Sequence, residues 1–200
     1  MSVRKPRIWS SYVNSDFSKR ELIRQIEAFD SLVELKLASK WKGVILTVMY
    51  EPLPGSHSSK TYQMKKQIEK LYSTFLTRVC RHPRSGCDKP ILIGLADLPV
   101  NKYKKISILD ATVNDGLHYH CILLVPPKSR LEGTIKNHFE NEKRELYLGS
   151  PRVIDRIHIE PIVTKSSNLV TDYVFKAVAR GLSYDEHLLI LPKSESEVTK

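Results

Sequence analysis

The chain is organised around the stretch Gly116-Leu117-His118-Tyr119-His120-Cys121-Ile122-Leu123-Leu124-Val125, which Pro126-Pro127 closes. Its β-branched, aromatic and leucine residues predict a β-strand. Side chains alternate between the faces of a strand, so His118 and His120 should point to one face and Tyr119 to the other. Two imidazoles on one face of a rigid strand would supply half of a divalent-metal site. The alternative, from these residues alone, is a pair of histidines on the polar face of an edge strand.

The composition describes a basic protein with enough apolar residues to form a core. The chain has 200 residues, 41% of them hydrophobic, and a net charge of +10 with a pI near 9.5. This length fits one domain, which we place at residues 1–192, followed by a flexible charged tail at 193–200. The charge favours an acidic polymer as partner, nucleic acid before membrane, although a merely soluble basic protein would have the same balance.

Cysteine usage and hydropathy indicate where the protein works. No apolar run approaches the roughly 20 residues that span a bilayer, and the basic segment 1–7 has no apolar stretch behind it. Three cysteines, an odd number, indicate thiols in a reducing compartment. We therefore expect a soluble, cytoplasmic protein without a membrane partner. Zinc is not assigned to Cys80, His82 and Cys87, because their spacing matches no common site and a fourth ligand is not evident.

Periodicity and turn residues predict the remaining elements. The turn signal Asn114-Asp115-Gly116 leads into the histidine strand, and Asp97 ends the apolar face of an earlier strand. The order of elements predicts an α+β fold, a central antiparallel β-sheet with helices packed on its faces. We expect helices at 18–38, 60–81, 128–142 and 169–180, a loop at 57–60, and further strands at 44–50, 90–98 and 152–163.

The last predicted helix carries Tyr173, Lys176 and Arg180 on one stripe, since successive helical residues are about 100° apart. One interpretation is a tyrosine nucleophile that attacks a phosphodiester. A phenol with a pKa of about 10 needs a nearby cation or metal to react at neutral pH. A metal held by His118 and His120 would polarise the phosphate, with Lys176 close to the phosphate or the tyrosine oxygen. The alternative is a packed tyrosine ring with basic side chains that reach solvent.

Three motifs follow one another along the chain: Ile45-Leu46-Thr47-Val48, His118-Tyr119-His120 and Tyr173-Val174-Phe175-Lys176. In kind and order they resemble those of the HUH endonucleases, specifically the single-tyrosine (Rep-type) initiators of rolling-circle replication. The resemblance covers most of the chain, residues 44–180. It implies an HUH/Rep-like sandwich related to ferredoxin and RRM folds. It also implies Mn²⁺- or Mg²⁺-dependent nicking of single-stranded DNA at a replication origin or hairpin, in which the tyrosine becomes linked to the 5′-phosphate.

The resemblance further implies a third metal ligand, often a carboxylate, from a neighbouring strand. We choose Asp97; Glu160 and His158, on the strand before the tyrosine helix, are alternatives that the sequence leaves open. A Gly-rich Lys-Ser/Thr phosphate loop is missing from the sequence, so we expect a separate helicase. The host would be a prokaryote or a mobile element. Basic residues predicted to contact DNA are Arg180, Lys102, Lys104, Lys105, Arg81 and Arg84.

Other functions use the same residues. A transposase or a mobilisation relaxase could share the site. Relaxases commonly place the tyrosine before the histidines, and the early candidate here, Tyr12, has no lysine partner in helical register. Small transposases more often pair the tyrosine with a glutamine. Both features favour an initiator. Outside this chemistry, the alternative is a non-catalytic nucleic-acid-binding module with the same fold.

Overall fold

An antiparallel β-sheet forms the centre of the fold. A computed structural model of the protein describes residues 16–83, 88–97, 113–149, 153–162, 167–176 and 187–193. Within these ranges five strands pair in the order β4-β1-β3-β2-β5, each antiparallel to its neighbours. The strands are β1 (Lys42–Tyr50), β2 (Ile91–Asp97), β3 (His118–Val125), β4 (Ile154–Pro161) and β5 (Leu188–Leu191). The predicted fold class is therefore confirmed.

Helices cover both faces of the sheet. Those in the described ranges are α1 (Asp16–Ala38), α2 (His57–Val79), α3 (Ile135–Leu146) and α4 (Ser167–Val174). α2 and α3 pack on the face that carries Tyr119 and Cys121, and α1 and α4 pack on the face that carries Ile122 and Leu124. Because both faces are covered, β3 is buried along almost its whole length. None of these helices is both long and apolar enough to cross a membrane.

α1 and α4 begin two residues before the predicted positions; α2 and α3 differ by more, and capping explains both of these differences. The segment 57–60, expected as a loop, is the first turn of α2, because the Ser56 side chain accepts a hydrogen bond from the Ser59 backbone N–H at 3.4 Å. α3 begins at Ile135 instead of residue 128. Gly133 has a φ of 77°, and the Thr134 hydroxyl then accepts the Asn137 backbone N–H at 3.0 Å.

The C-terminal part of the fold also differs from the prediction. β5 was not predicted; it is four residues long and pairs with β2 as an edge strand. The tyrosine helix, expected at 169–180, is observed as α4 followed by a 3₁₀ turn at 175–176. Its predicted last turn, 177–180, lies outside the described residues, as does the tail from residue 194.

The turn before β3 is tied to the end of β1. Residues 114–116 all have positive φ, at 56°, 56° and 75°, which confirms the predicted turn. The buried side chain of Asn114 accepts the Leu53 backbone N–H at 2.6 Å. Its amide group donates to the carbonyls of Tyr50 at 3.2 Å and Glu51 at 2.9 Å. These bonds fix where β3 starts, and His118 is its first residue.

β2 and β3 approach each other closely at Gly94, which pairs with Cys121. A Cβ atom at this position would lie 2.9 Å from the Cys121 sulfur. This distance is shorter than side-chain carbons tolerate, and Cys121 is itself fully buried. Glycine therefore allows the two strands to pair without distortion at this point.

Candidate metal centre

Three potential metal ligands lie together at one end of the sheet. Asp97 is the last residue of β2 and pairs with His118, the first residue of β3, while His120 is two residues further along the same strand. The three side chains share one sheet face because paired residues and alternate residues project to the same side. Their ligand atoms all lie within 4.8 Å of one another. The expectation that His118 and His120 face the same side agrees with this arrangement.

The distances between these atoms suit a single ion. The Nε2 atoms of His118 and His120 are 3.0 Å apart. Asp97 Oδ2 is 3.3 Å from His120 Nε2 and 3.8 Å from His118 Nε2. Neighbouring ligands of an ion bound at about 2.1 Å lie about 3 Å apart at right angles. The Asp97-His118-His120 group could therefore hold a metal ion, although two imidazoles and a carboxylate do not select one metal.

Both histidines direct the same nitrogen to this centre. His118 donates Nδ1–H to the Gly116 carbonyl at 3.0 Å, which leaves the lone pair of Nε2 facing Asp97. The Nδ1 of His120 lies 3.0 Å from the Thr47 hydroxyl oxygen, while its Nε2 lies 3.1 Å from the Lys176 ammonium, which can only donate. When Nε2 of His120 offers its lone pair to a metal, Nδ1 carries the proton and donates to the Thr47 hydroxyl. Outer hydrogen bonds of this kind fix the tautomer of metal-binding histidines.

Lys176 provides the positive charge closest to the buried carboxylate. Its ammonium lies 2.7 Å from Asp97 Oδ2, and Asp97 is fully buried. Burial alone would raise the pKa of Asp97, but the hydrogen bonds from His120 and Lys176 outweigh it and hold the pKa below its ordinary value. Burial lowers the pKa of His120 to about 4, so its imidazole is neutral at pH 7 and can donate a lone pair to a metal.

Tyr173 stands at the open side of the centre. Its ring centroid is 4.5 Å from that of His120, and the Lys176 ammonium lies 4.1 Å from the Tyr173 ring centroid. The side chain is 39% exposed, so a large substrate can reach it. Partial burial raises the pKa of Tyr173, a hydrogen bond with Thr47 opposes this shift, and the charges of Glu160 and Asp97 add to it. The phenol is therefore protonated at pH 7.

The alternative third ligands lie apart from this group. His158 and Glu160 are exposed residues of β4, and their side chains contact each other at 3.1 Å. β1 separates β4 from β3, and Thr47 of β1 pairs with His158 on one side and His120 on the other. Of the two alternatives and Asp97, the structure therefore brings only Asp97 to the histidines.

Most of the residues predicted to contact DNA cannot be placed. Arg180, Lys102, Lys104, Lys105 and Arg84 lie outside the described residues. Arg81 is exposed and follows the C-terminal end of α2. The opposite end of that helix is near the centre, since Lys60 contacts Asp115 beside the histidine strand at 2.6 Å. Arg81 is therefore remote from Tyr173, because a helix of 23 residues is about 35 Å long.

Thr47 also belongs to the site, although no role was predicted for it. It belongs to the first motif, but only strand pairing reveals that it lies opposite His120 and contacts both His120 and Tyr173. The signal available in the sequence was a lone polar residue within an apolar strand. Of the residues considered for zinc, the buried thiol of Cys80 donates to the Asp88 carbonyl at 3.5 Å, and Cys87 lies outside the described residues.

Comparison with known proteins returns no relative of this chain: no family model, no curated protein and no solved structure matches it. The chemistry of the site must therefore be judged from its own residues. They combine a three-donor metal group, an ammonium beside it, and an accessible phenol within van der Waals reach of a ligand ring. Such a set can place a nucleophilic oxygen and two positive charges around one anionic substrate group.

Proposed function

We propose that this protein is a metal-dependent endonuclease that nicks and rejoins single-stranded DNA through a covalent bond to Tyr173. The observation that carries the proposal is the position of the Tyr173 ring, 4.5 Å from the ring of His120, with the Lys176 ammonium beside both. A phenol is a poor nucleophile at neutral pH unless cations lower its pKa or neutralise the product charge. Here an ammonium and a metal-ligand group converge on it.

The residues support one reaction cycle. The Tyr173 oxygen forms a bond to phosphorus while the bond from phosphorus to O3′ breaks; the phenol loses its proton and the departing O3′ gains one. The product is a 5′-phosphotyrosine and a free 3′-OH, which can attack the same phosphorus to rejoin the strand. A divalent ion, Mn²⁺ or Mg²⁺, held by Asp97, His118 and His120 would neutralise charge on the phosphate.

The remaining contacts position the reacting groups. Thr47 can accept from Nδ1 of His120 in the tautomer whose Nε2 would bind a metal, and it also hydrogen-bonds Tyr173. A phosphate held beside Tyr173 would lie next to the Lys176 ammonium. This positive charge favours an anionic substrate over a neutral one. The excess of basic residues gives the whole protein affinity for nucleic acid. The resemblance of the motifs to rolling-circle initiators makes replication initiation the biological role that we propose.

A denaturing gel tests the proposal. The protein is incubated with an end-labelled pool of single-stranded oligonucleotides, with Mn²⁺ or with EDTA. We expect a protein–DNA adduct that requires Mn²⁺ and disappears in Tyr173→Phe. The matched control is Tyr62→Phe, since Tyr62 is an exposed tyrosine of α2 that also has a lysine over its ring. Tight, salt-sensitive binding without an adduct for any pool sequence would instead indicate a non-catalytic binding module.

A further inference from the structure

A cleft next to the metal centre has no role in the chemistry described so far. It lies between the edge strand β4 and the C-terminal turn of α3, and its volume is about 590 Å³. Its lining includes Thr47, which contacts His120 and Tyr173, so the cleft begins beside the nucleophile. The polar and charged residues around it are Thr47, Lys143, Arg144, Asp155, Arg156 and His158.

The charge of the cleft is mainly positive. Lys143 and Arg144 belong to the last turn of α3, and Arg156 is an exposed residue of β4. The carboxylate in the lining, Asp155, contacts Arg156 at 3.0 Å, so two cations remain in excess. Basic residues in a last helical turn also stabilise the helix dipole. This effect explains Lys143 and Arg144 but not Arg156, which is on a strand.

The position of the cleft selects the ligand. Thr47 is on β1, one strand from His120 and one strand from His158. His120 and His158 are therefore two strand spacings apart, about 10 Å, a distance that a short run of nucleotides of one strand can span. A cleft of this volume is comparable to small-molecule pockets, a size that suits a short piece of a single strand. We propose that it binds the phosphates of the single-stranded DNA next to the phosphate that Tyr173 attacks; this inference rests on the proposed function.

Binding measured without metal tests the cleft separately from the nicking reaction. Fluorescence anisotropy of a labelled oligothymidylate is followed in EDTA at 50 to 200 mM salt, for the wild type and for Lys143→Gln/Arg144→Gln. The salt slope is the steepness with which the logarithm of the affinity falls as the logarithm of the salt concentration rises. Each lost phosphate contact lowers it by about 0.7. Over this fourfold range the affinity of the wild type should fall about sevenfold more than that of the double variant. Arg156→Gln alone should lower the slope by about half as much.

A matched control removes the same charge elsewhere. Lys70 and Arg78 are exposed residues of α2, and Lys70→Gln/Arg78→Gln should keep the wild-type slope. An equal loss of slope in both double variants, or no loss in either, overturns the proposal. Equal affinity for a duplex of the same charge overturns its single-strand part.

The two proposals fail in different ways. Formation of the Tyr173 adduct with an unchanged salt slope in Lys143→Gln/Arg144→Gln would refute the cleft and leave the endonuclease intact. A reduced slope without any adduct would leave the cleft as a DNA site and refute the endonuclease. Thermal denaturation of each variant confirms that the substitutions, which are on the surface, leave the fold unchanged.

Discussion

Replacing Lys176 with methionine removes the positive charge that contacts the Asp97 carboxylate in the candidate metal centre. The Lys176 ammonium lies 2.7 Å from a carboxylate that is fully buried, and 3.1 Å from His120 Nε2. Removal of one partner of a buried ion pair costs about 3–5 kcal/mol. Since the Lys176 side chain is 24% exposed, we expect the low end, about 3 kcal/mol, in the metal-free protein. For a chain of this size that loss lowers the melting temperature by about 6–12 °C.

The opposite change is expected when a divalent ion is present. The ion and the ammonium would share the same oxygen, Asp97 Oδ2, so the ion must displace Lys176 in the wild type but not in Lys176→Met. Mn²⁺ at a hundredfold excess over its Kd stabilises a protein by about 2.7 kcal/mol. At equal Mn²⁺ concentration the stabilisation of Lys176→Met should be larger than that of the wild type.

Urea denaturation with Mn²⁺ or with EDTA measures both effects. Lys136→Met is the control, because the Lys136 side chain is 46% exposed and its contact with Glu140 is 3.6 Å long, so its loss should change little. The reasoning is refuted if Lys176→Met is as stable as the wild type in EDTA, or if Mn²⁺ stabilises the variant no more than the wild type.

Three further predictions follow from other contacts. Thr47→Val should lower Mn²⁺ affinity about 10- to 100-fold, as measured by calorimetry, and Thr47→Ser should restore most of it. Burial lowers the pKa of His120 to about 4 and also lowers that of His138. Below about pH 6.5 the unfolded chain therefore binds protons that the folded chain takes up only at lower pH. The free energy of unfolding should decrease from pH 7 towards pH 4 in urea titrations, and an increase would contradict this. Asn114→Ala removes three hydrogen bonds and puts alanine at positive φ, so urea denaturation should show a loss of about 3 kcal/mol or more.

Local sequence patterns were sufficient for the histidine strand. Alternation of side chains along a strand is a property of a few consecutive residues, and it placed His118 and His120 on one face. The turn at 114–116 was predicted for the same reason, since asparagine, aspartate and glycine tolerate positive φ.

The choice of the carboxylate needed information that no local pattern contains. Asp97, His158 and Glu160 all lie on strands, and they differ in which strand lies between them and β3. β2 is adjacent to β3, while β1 intervenes before β4. Strand order is set by the packing of the whole chain, so the sequence left three candidates. Thr47 had no assigned role for the same reason.

The prediction from sequence also failed for the start of α2 and for the short strand β5. The first turn of α2 is rich in serine and histidine, which resembles a loop, and the cap provided by Ser56 decides the outcome. β5 has four residues, too few to show a period, and it is formed by pairing with β2.

The dimensions of the metal centre depend on a position that carries no side chain. Asp97 and His118 come from different strands, so the gap between their ligand atoms is set by how closely two backbones approach. Gly94 permits that approach from the opposite face of the sheet, where a Cβ would meet the Cys121 sulfur at 2.9 Å. A larger residue at position 94 would push β2 and β3 apart. The distance between the ligand atoms of Asp97 and His118 would then increase, although the new side chain contacts neither residue. The spacing of these three potential ligands therefore depends partly on a glycine on the opposite face of the sheet.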